Sequence, residues 1–162
     1  MIRVAIVTVS DSSSSGTRED VSGPALQERV RQRGWEVQAT RTVPDETEGL
    51  TRCLKELADS GSASVILTTG GTGIAARDVT PEATRLVIER EVPGIGEYMR
   101  SEGAKRTRRA VLSRGIAGTR GRTLIVNLPG SPLGAVESFE AVADLIPHIT
   151  DLLEGRTEHK GH

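Results

Sequence analysis

The chain has 162 residues, of which 27% are charged and 36% apolar, with a formal net charge of -1. That length fits one hydrophobic core, no apolar window reaches the ~18 residues of a membrane helix, and a near-neutral balance with one Trp, one Tyr and one Phe gives nucleic acid neither a basic groove nor stacking platforms. The single cysteine, Cys53, excludes an intrachain disulfide or a thiolate zinc cluster and points to a reducing, cytoplasmic home.

In chain order, the first apolar run, Val4 to Val9, is short and β-branched and is followed at once by Ser10 and Asp11, so it reads as a strand rather than a signal peptide. The serines of Ser10 to Gly16 are either a mobile solvated loop or a lid over a bound ligand. A second run covers Val37 to Val43. Leu50, Cys53, Leu54, Leu57 and Ala58 then recur at helical spacing, closed by Asp59 to Ser62, with Cys53 a small core residue. Val65 to Thr69 is the third run. Thr80 before Pro81 predicts an N-cap with proline in the first helical position, and Ala83, Leu86 and Val87 supply an apolar stripe. Lys105 to Arg109 is a basic stretch, either a solvated helix end or a site for an anion. Thr123 to Val126 is the fourth run, and Phe139, Val142, Ala143 and Ile146 predict a helix ended or kinked at Pro147. One domain is expected over residues 1–154, with a polar, frayed tail over 155–162.

Each of the four runs is nearly continuous, the pattern of strands buried on both faces. Strands alternating with helices predict a mostly parallel sheet covered on both sides, and ligands of such sheets sit outside the carboxyl ends of the strands. Four candidate segments fall there: Ser10 and Asp11; Pro44-Asp45-Glu46; the loop Thr69-Gly70-Gly71-Thr72-Gly73 with Arg77 and Asp78 beyond it; and Asn127-Leu128-Pro129-Gly130-Ser131-Pro132.

Glycines at Gly70, Gly71 and Gly73 permit positive φ and let phosphate oxygens approach the backbone without a Cβ in the way. The loop lacks the lysine of a Walker sequence. Its formal match to a dinucleotide fingerprint fails because the helix begins only at Pro81 and no acidic strand end follows. Asp78 alone could cap a helix, and Asp45 alone could shape a turn. On one rim beside a phosphate loop they are better read as a pair holding Mg²⁺, a hard cation that takes carboxylate and phosphate oxygens. Arg114 is either a phosphate ligand or a surface arginine, and Glu97 a ligand contact or the exposed face of a short helix. His148 lies in a helical pattern and His159 and His162 in the tail, so no histidine-centred nucleophile is expected.

Taken together, Thr8 to Asp11, Ser22-Gly23-Pro24, Val43 to Glu46, Thr69 to Gly73, Arg77 to Thr84, Pro93-Gly94, Leu112 to Arg114 and Asn127 to Pro132 resemble the molybdopterin adenylyltransferase family, the MogA- and MoaB-like proteins. The resemblance implies a three-layer α/β sandwich with a mostly parallel central sheet and helices on both faces. It implies transfer of an adenylyl group from ATP to molybdopterin, with Mg²⁺, in a cytoplasmic homotrimer or homohexamer, and with neither nucleic acid nor membrane as partner. Asp45 and Asp78 would be the catalytic and metal-binding pair. Thr69, Gly70, Gly71, Thr72, Gly73 and Glu97 would hold the nucleotide, and Ser10, Asp11, Ser113, Arg114, Asn127, Pro129, Gly130 and Ser131 the pterin. Arg77 to Pro81 keep a signature that some MoaB-like relatives have lost, which favours an active enzyme over the alternative, a catalytically silent binding or scaffolding protein of the same fold. The first loop departs from the pattern by its serines. The nucleophile expected is the pterin phosphate, whose second pKa of about 6 makes a general base unnecessary.

Overall fold

The computed structural model describes residues 1–156. Six strands form one sheet: β1 (Arg3–Val9), β2 (Glu36–Val43), β3 (Val65–Thr69), β4 (Arg90–Glu91), β5 (Ala117–Arg120) and β6 (Thr123–Leu128), in the order β2-β1-β3-β6-β5-β4. β2, β1, β3 and β6 run parallel, while β5 and β4 are an antiparallel extension. The α-helices are α1 (Asp11–Ser14), α2 (Ser22–Gln32), α3 (Thr47–Asp59), α4 (Thr80–Arg85), α5 (Pro93–Ala104), α6 (Pro132–Val142) and α7 (Ile146–Leu153).

Alternation along the central strands sorts their side chains into two cores. Val4, Ile6, Val65, Leu67, Leu124, Val126 and Leu128 pack with Leu26, Met99 and Phe139 from α2, α5 and α6. Ala5, Val7, Val9, Ile66 and Ile125 pack on the other side with Leu50, Leu54 and Ala83 from α3 and α4. The result is the expected three-layer α/β sandwich.

Several local expectations are corrected. β2 is not buried on both faces: it is the sheet edge, its residues exposed or partly exposed throughout. Thr80 does not cap α4. The cap position is Val79, and the buried Thr80 hydroxyl donates to the Gly70 carbonyl at 2.9 Å. Leu86 of the anticipated stripe is 63% exposed, because the helix has already ended at Arg85. The C-terminal helix breaks at Val142 rather than at Pro147, which instead lies in the first turn of α7 where its missing N–H costs nothing. α2 is an unanticipated helix whose buried apolar side chains are few, Leu26 and Val30, one turn apart. Of the tail, Gly155 leaves α7 at φ +78 and Arg156 pairs with Asp151 at 3.3 Å, while residues 157–162, with His159 and His162, lie outside the described residues. Among the described residues no helix is long and apolar enough to cross a membrane.

Candidate functional site

β1 and β3 are neighbours, yet the chain leaves β1 for β2 on one side and leaves β3 for β4, beyond β6 and β5, on the other. This is the topological switch point, where an open parallel sheet leaves a crevice at its carboxyl ends. A cavity of about 590 Å³ opens there, and Asp11, Asp45, Gly70, Gly71, Arg77 and Asp78 line it. Two aspartates distant in sequence therefore face one space, because β2 and β3 are both parallel to β1 and end on the same rim.

Asp45 is held by Asp11. The Asp11 N–H donates to Asp45 Oδ2 at 3.1 Å, and the Asp45 N–H donates to Asp11 Oδ1 at 2.7 Å. Burial raises the Asp45 carboxyl above its ordinary 3.8; the Asp11 N–H and Arg77 oppose this, while the charges of Asp11 and Asp78 add to it. Asp78 stands across the glycine loop. Its Oδ2 accepts the Ala75 N–H at 3.0 Å, closing a small turn in which the Asp78 N–H donates to Ala75 O at 3.0 Å.

The loop between them uses glycine for steric reasons. Gly70 and Gly71 have φ of +102 and +70, the left-handed region that L side chains rarely enter. A Cβ on Gly70 would strike the Val9 carbonyl, and one on Gly71 would strike the Thr80 hydroxyl. Thr69 is buried and donates its hydroxyl to Pro129 O at 2.6 Å, tying β3 to the loop after β6. Thr72 is buried as well, at 5% exposure.

A second cavity, about 530 Å³, lies on the other side of the loop. Thr72, Gly73, Ser113, Asn127, Pro129, Gly130 and Ser131 line it, with Arg100, Met99 and Arg106 from the α5 side. Gly130 and Ser131 border both cavities. Ser131 caps α6 by accepting the Gly134 N–H at 3.1 Å. Ser10 faces the acidic cavity and caps α1, accepting the Ser13 N–H at 3.3 Å. The basic stretch divides: Arg106 and Arg109 line the second cavity, and Arg106 also pairs with Glu137 at 2.8 Å.

Of the anticipated ligand residues, Arg114 and Glu97 lie off both cavities, and Asn127, though it borders the second, spends its side chain inside the protein. Asn127 is 1% exposed, and its side chain is saturated: Nδ2 donates to Thr68 and Thr84 hydroxyls at 3.0 Å each, and Oδ1 accepts the Ile116 N–H at 3.2 Å. Its side chain is thus a buried strut between β3, α4 and β5. Arg114 lines neither cavity; its guanidinium binds Glu82 and two loop carbonyls. Glu97 is exposed on α5 and borders neither cavity. Conversely, Arg18, Asp20 and Arg100 border the cavities and went unnoticed in the sequence. Asp20 accepts the Thr8 hydroxyl at 2.7 Å and the Gly23 N–H at 3.0 Å, so it anchors the start of α2 to β1. An aspartate before Ser22-Gly23-Pro24 was the available signal, a capping residue ahead of a helix carrying an early proline.

Among the described residues no three His, Cys, Asp or Glu side chains are grouped so as to hold a metal by themselves. The carboxylates of Asp45 and Asp78 on one cavity beside the glycine loop nonetheless fit Mg²⁺, which is commonly held by one or two carboxylates and completes its shell with substrate phosphates and water.

Residues 5–148 match the model of the family described as probable molybdopterin binding domain. The chain is 40% identical over 169 residues to the molybdopterin adenylyltransferase of Escherichia coli K12, covering 95% of this chain and 86% of that one. It is 41% identical over 153 residues to the molybdenum cofactor synthesis protein cinnamon of Drosophila melanogaster, covering 94% of this chain but spanning only 26% of that longer protein. The crystal structure of the molybdopterin biosynthesis enzyme MoaB of Thermus thermophilus superposes with a TM-score of 0.90 at 51% identity, covering 96% of this chain and 98% of that one.

Proposed function

This chain belongs to the molybdopterin-binding family, and on that premise we propose that it is a nucleotidyltransferase of molybdenum cofactor biosynthesis, which transfers the adenylyl group of ATP to molybdopterin and releases pyrophosphate. The observation that carries this reading is the convergence of Asp45 and Asp78 on one cavity, beside a loop whose Gly70 and Gly71 carry no Cβ where the backbone turns.

The terminal phosphate of the pterin attacks the α-phosphorus of ATP. One P–O bond forms, the bond to the pyrophosphate oxygen breaks, and pyrophosphate carries away the negative charge. The attacking phosphate is already mostly ionised near neutral pH, so no residue needs to remove a proton. The obstacle is anion approaching anion, and what the protein supplies is alignment and charge neutralisation. The two cavities, both bordered by Gly130 and Ser131, would take one substrate each, with their phosphates meeting over Gly70 to Gly73. Arg77 brings positive charge to the acidic cavity. Ser10, Ser113 and Ser131 offer hydroxyls along the walls. Asp45 and Asp78 would hold Mg²⁺, which when bound supplies charge neutralisation at the reacting phosphates.

A cytoplasmic location accords with the lone cysteine. Assembly into a homotrimer, or a homohexamer, is proposed on the family resemblance. The test of the activity is incubation of the purified chain with molybdopterin, Mg²⁺ and ATP. Adenylylated pterin and pyrophosphate are expected in equal amounts. A chain that binds both substrates and releases no pyrophosphate would be the silent binding protein instead.

A further inference from the structure

Arg114 stands directly between Ser113 and Gly115, both on the wall of the second cavity, yet it borders neither cavity itself. Its Nε donates to Gly73 O at 2.7 Å and its Nη2 to Asp78 O at 2.8 Å. Nη1 and Nη2 also grip the Glu82 carboxylate, at 2.6 and 3.1 Å, and the Arg114 N–H donates to Thr72 O at 2.8 Å. Gly73 and Asp78 are the two ends of an exposed turn, residues 74–77. Among the described residues, the hydrogen bonds within that turn run between Ala75 and Asp78.

We propose that Arg114 is a positioning residue: its guanidinium fastens both ends of the 74–77 turn to α4 and so fixes where the Asp78 carboxylate stands, without touching either substrate. The planar fork is what allows one side chain to reach two carbonyls and a carboxylate at once, which a lysine ammonium on a flexible stem does not reproduce. Glu82 completes the clamp. Their mutual hydrogen bond lowers the Glu82 carboxyl and raises the Arg114 guanidinium, so both stay charged across the neutral range. With side chains 37% and 50% exposed, the pair adds little to global stability, and its effect is local.

The inference rests on the catalytic reading of Asp78, so its test needs a readout on the protein alone. Arg114→Lys and Glu82→Gln are compared with wild type by amide hydrogen exchange of residues 72–79 without substrates, and by adenylyl transfer at varied ATP and Mg²⁺. Faster exchange confined to that segment is expected in both variants. For Arg114→Lys, kcat should fall about tenfold to a hundredfold, as when an outer partner of a metal-binding group is lost, with KM for ATP near wild type and a higher Mg²⁺ requirement. Glu82→Gln should show the same pattern more weakly. Unchanged exchange in Arg114→Lys overturns the proposal, as does a loss appearing only in KM for ATP. A Glu82→Gln variant that binds ATP more tightly would likewise identify Arg114 as a released phosphate ligand. If wild type itself transfers no adenylyl group, the functional reading fails while the exchange data still decide whether Arg114 fastens the turn.

Discussion

Asp11 and Asp45 hold one another by their backbones: each donates its N–H to the other's carboxylate, at 3.1 and 2.7 Å. The exchange locks the carboxyl ends of two neighbouring parallel strands together and brings two negative groups to the same cavity wall. Asp45 therefore carries its charge at a cost, and its carboxyl is raised above 3.8, chiefly by burial.

That cost predicts a pH dependence of stability. Between the ordinary value and the raised one, the folded state binds more protons at Asp45 than the unfolded chain does, so stability falls as pH rises through that window. Asp45→Asn should keep the acceptor for the Asp11 N–H, abolish transfer, and raise Tm at pH 7. The gain should shrink as pH is lowered towards 3.8. A Tm for the variant at or below wild type at pH 7 contradicts the assignment. Mg²⁺ should raise the Tm of wild type and leave that of Asp45→Asn nearly unchanged.

Asp78→Asn should fold normally, since Asp78 is a partly exposed group in a polar turn. Its kcat should fall about a hundredfold or more, the usual loss when a group stabilising transition-state charge is removed. Steady-state adenylyl transfer alongside far-UV circular dichroism checks this, and near-normal turnover would remove Asp78 from the machinery.

Two alanine substitutions in one loop should separate fold from function. In Gly71→Ala the new Cβ meets the Thr80 hydroxyl at a residue with φ +70, and stability should drop by roughly 1–3 kcal/mol in urea denaturation. In Gly73→Ala the Cβ would lie 2.7 Å from Asp78 Oδ2, so the carboxylate must swing away from its place and give up the Ala75 N–H, in a turn where water can replace that bond. That variant should keep its stability and lose turnover. Equal effects of the two substitutions on stability would contradict the distinction.

Asn127→Ala should behave as a core lesion. It removes the partners of the Thr68 hydroxyl and the Ile116 N–H, with a cost of about 1–3 kcal/mol for each group left buried and unsatisfied, while the Thr84 hydroxyl still donates to Thr80 O at 2.8 Å. A large fall in urea midpoint is expected, with KM values at low temperature close to wild type. A pterin ligand would show the reverse.

The central strands were legible in the sequence because the runs Val4 to Val9, Val65 to Thr69 and Thr123 to Val126 are buried on both faces and need nearly continuous apolar side chains there, although β6 goes on to Leu128. β5, with Gly118 at its centre, carries no comparable signal: what admits it is close approach, since a Cβ on Gly118 would lie 2.6 Å from the Arg90 carbonyl. The start of α4 at Thr80 and Pro81 was legible as well, but its early end at Arg85 and the role of Thr80 were not, since Thr80 has the residue type of an N-cap but uses its hydroxyl inside the glycine loop.

By itself the sequence determined the layered α/β fold, the rim on which the four candidate segments lie, and the glycine and aspartate types that phosphate chemistry asks for. These follow from local periodicity and from the rule that parallel strands end on one side. Only the tertiary structure decided which polar side chains face the cavities and which are consumed within the protein. Asn127 and Arg114 look as much like ligand residues as Ser131 does until their partners at Thr68, Thr84, Gly73 and Glu82 are seen. A hydrogen bond depends on distances of about 3 Å between residues distant along the chain, and spacing in sequence carries no record of them.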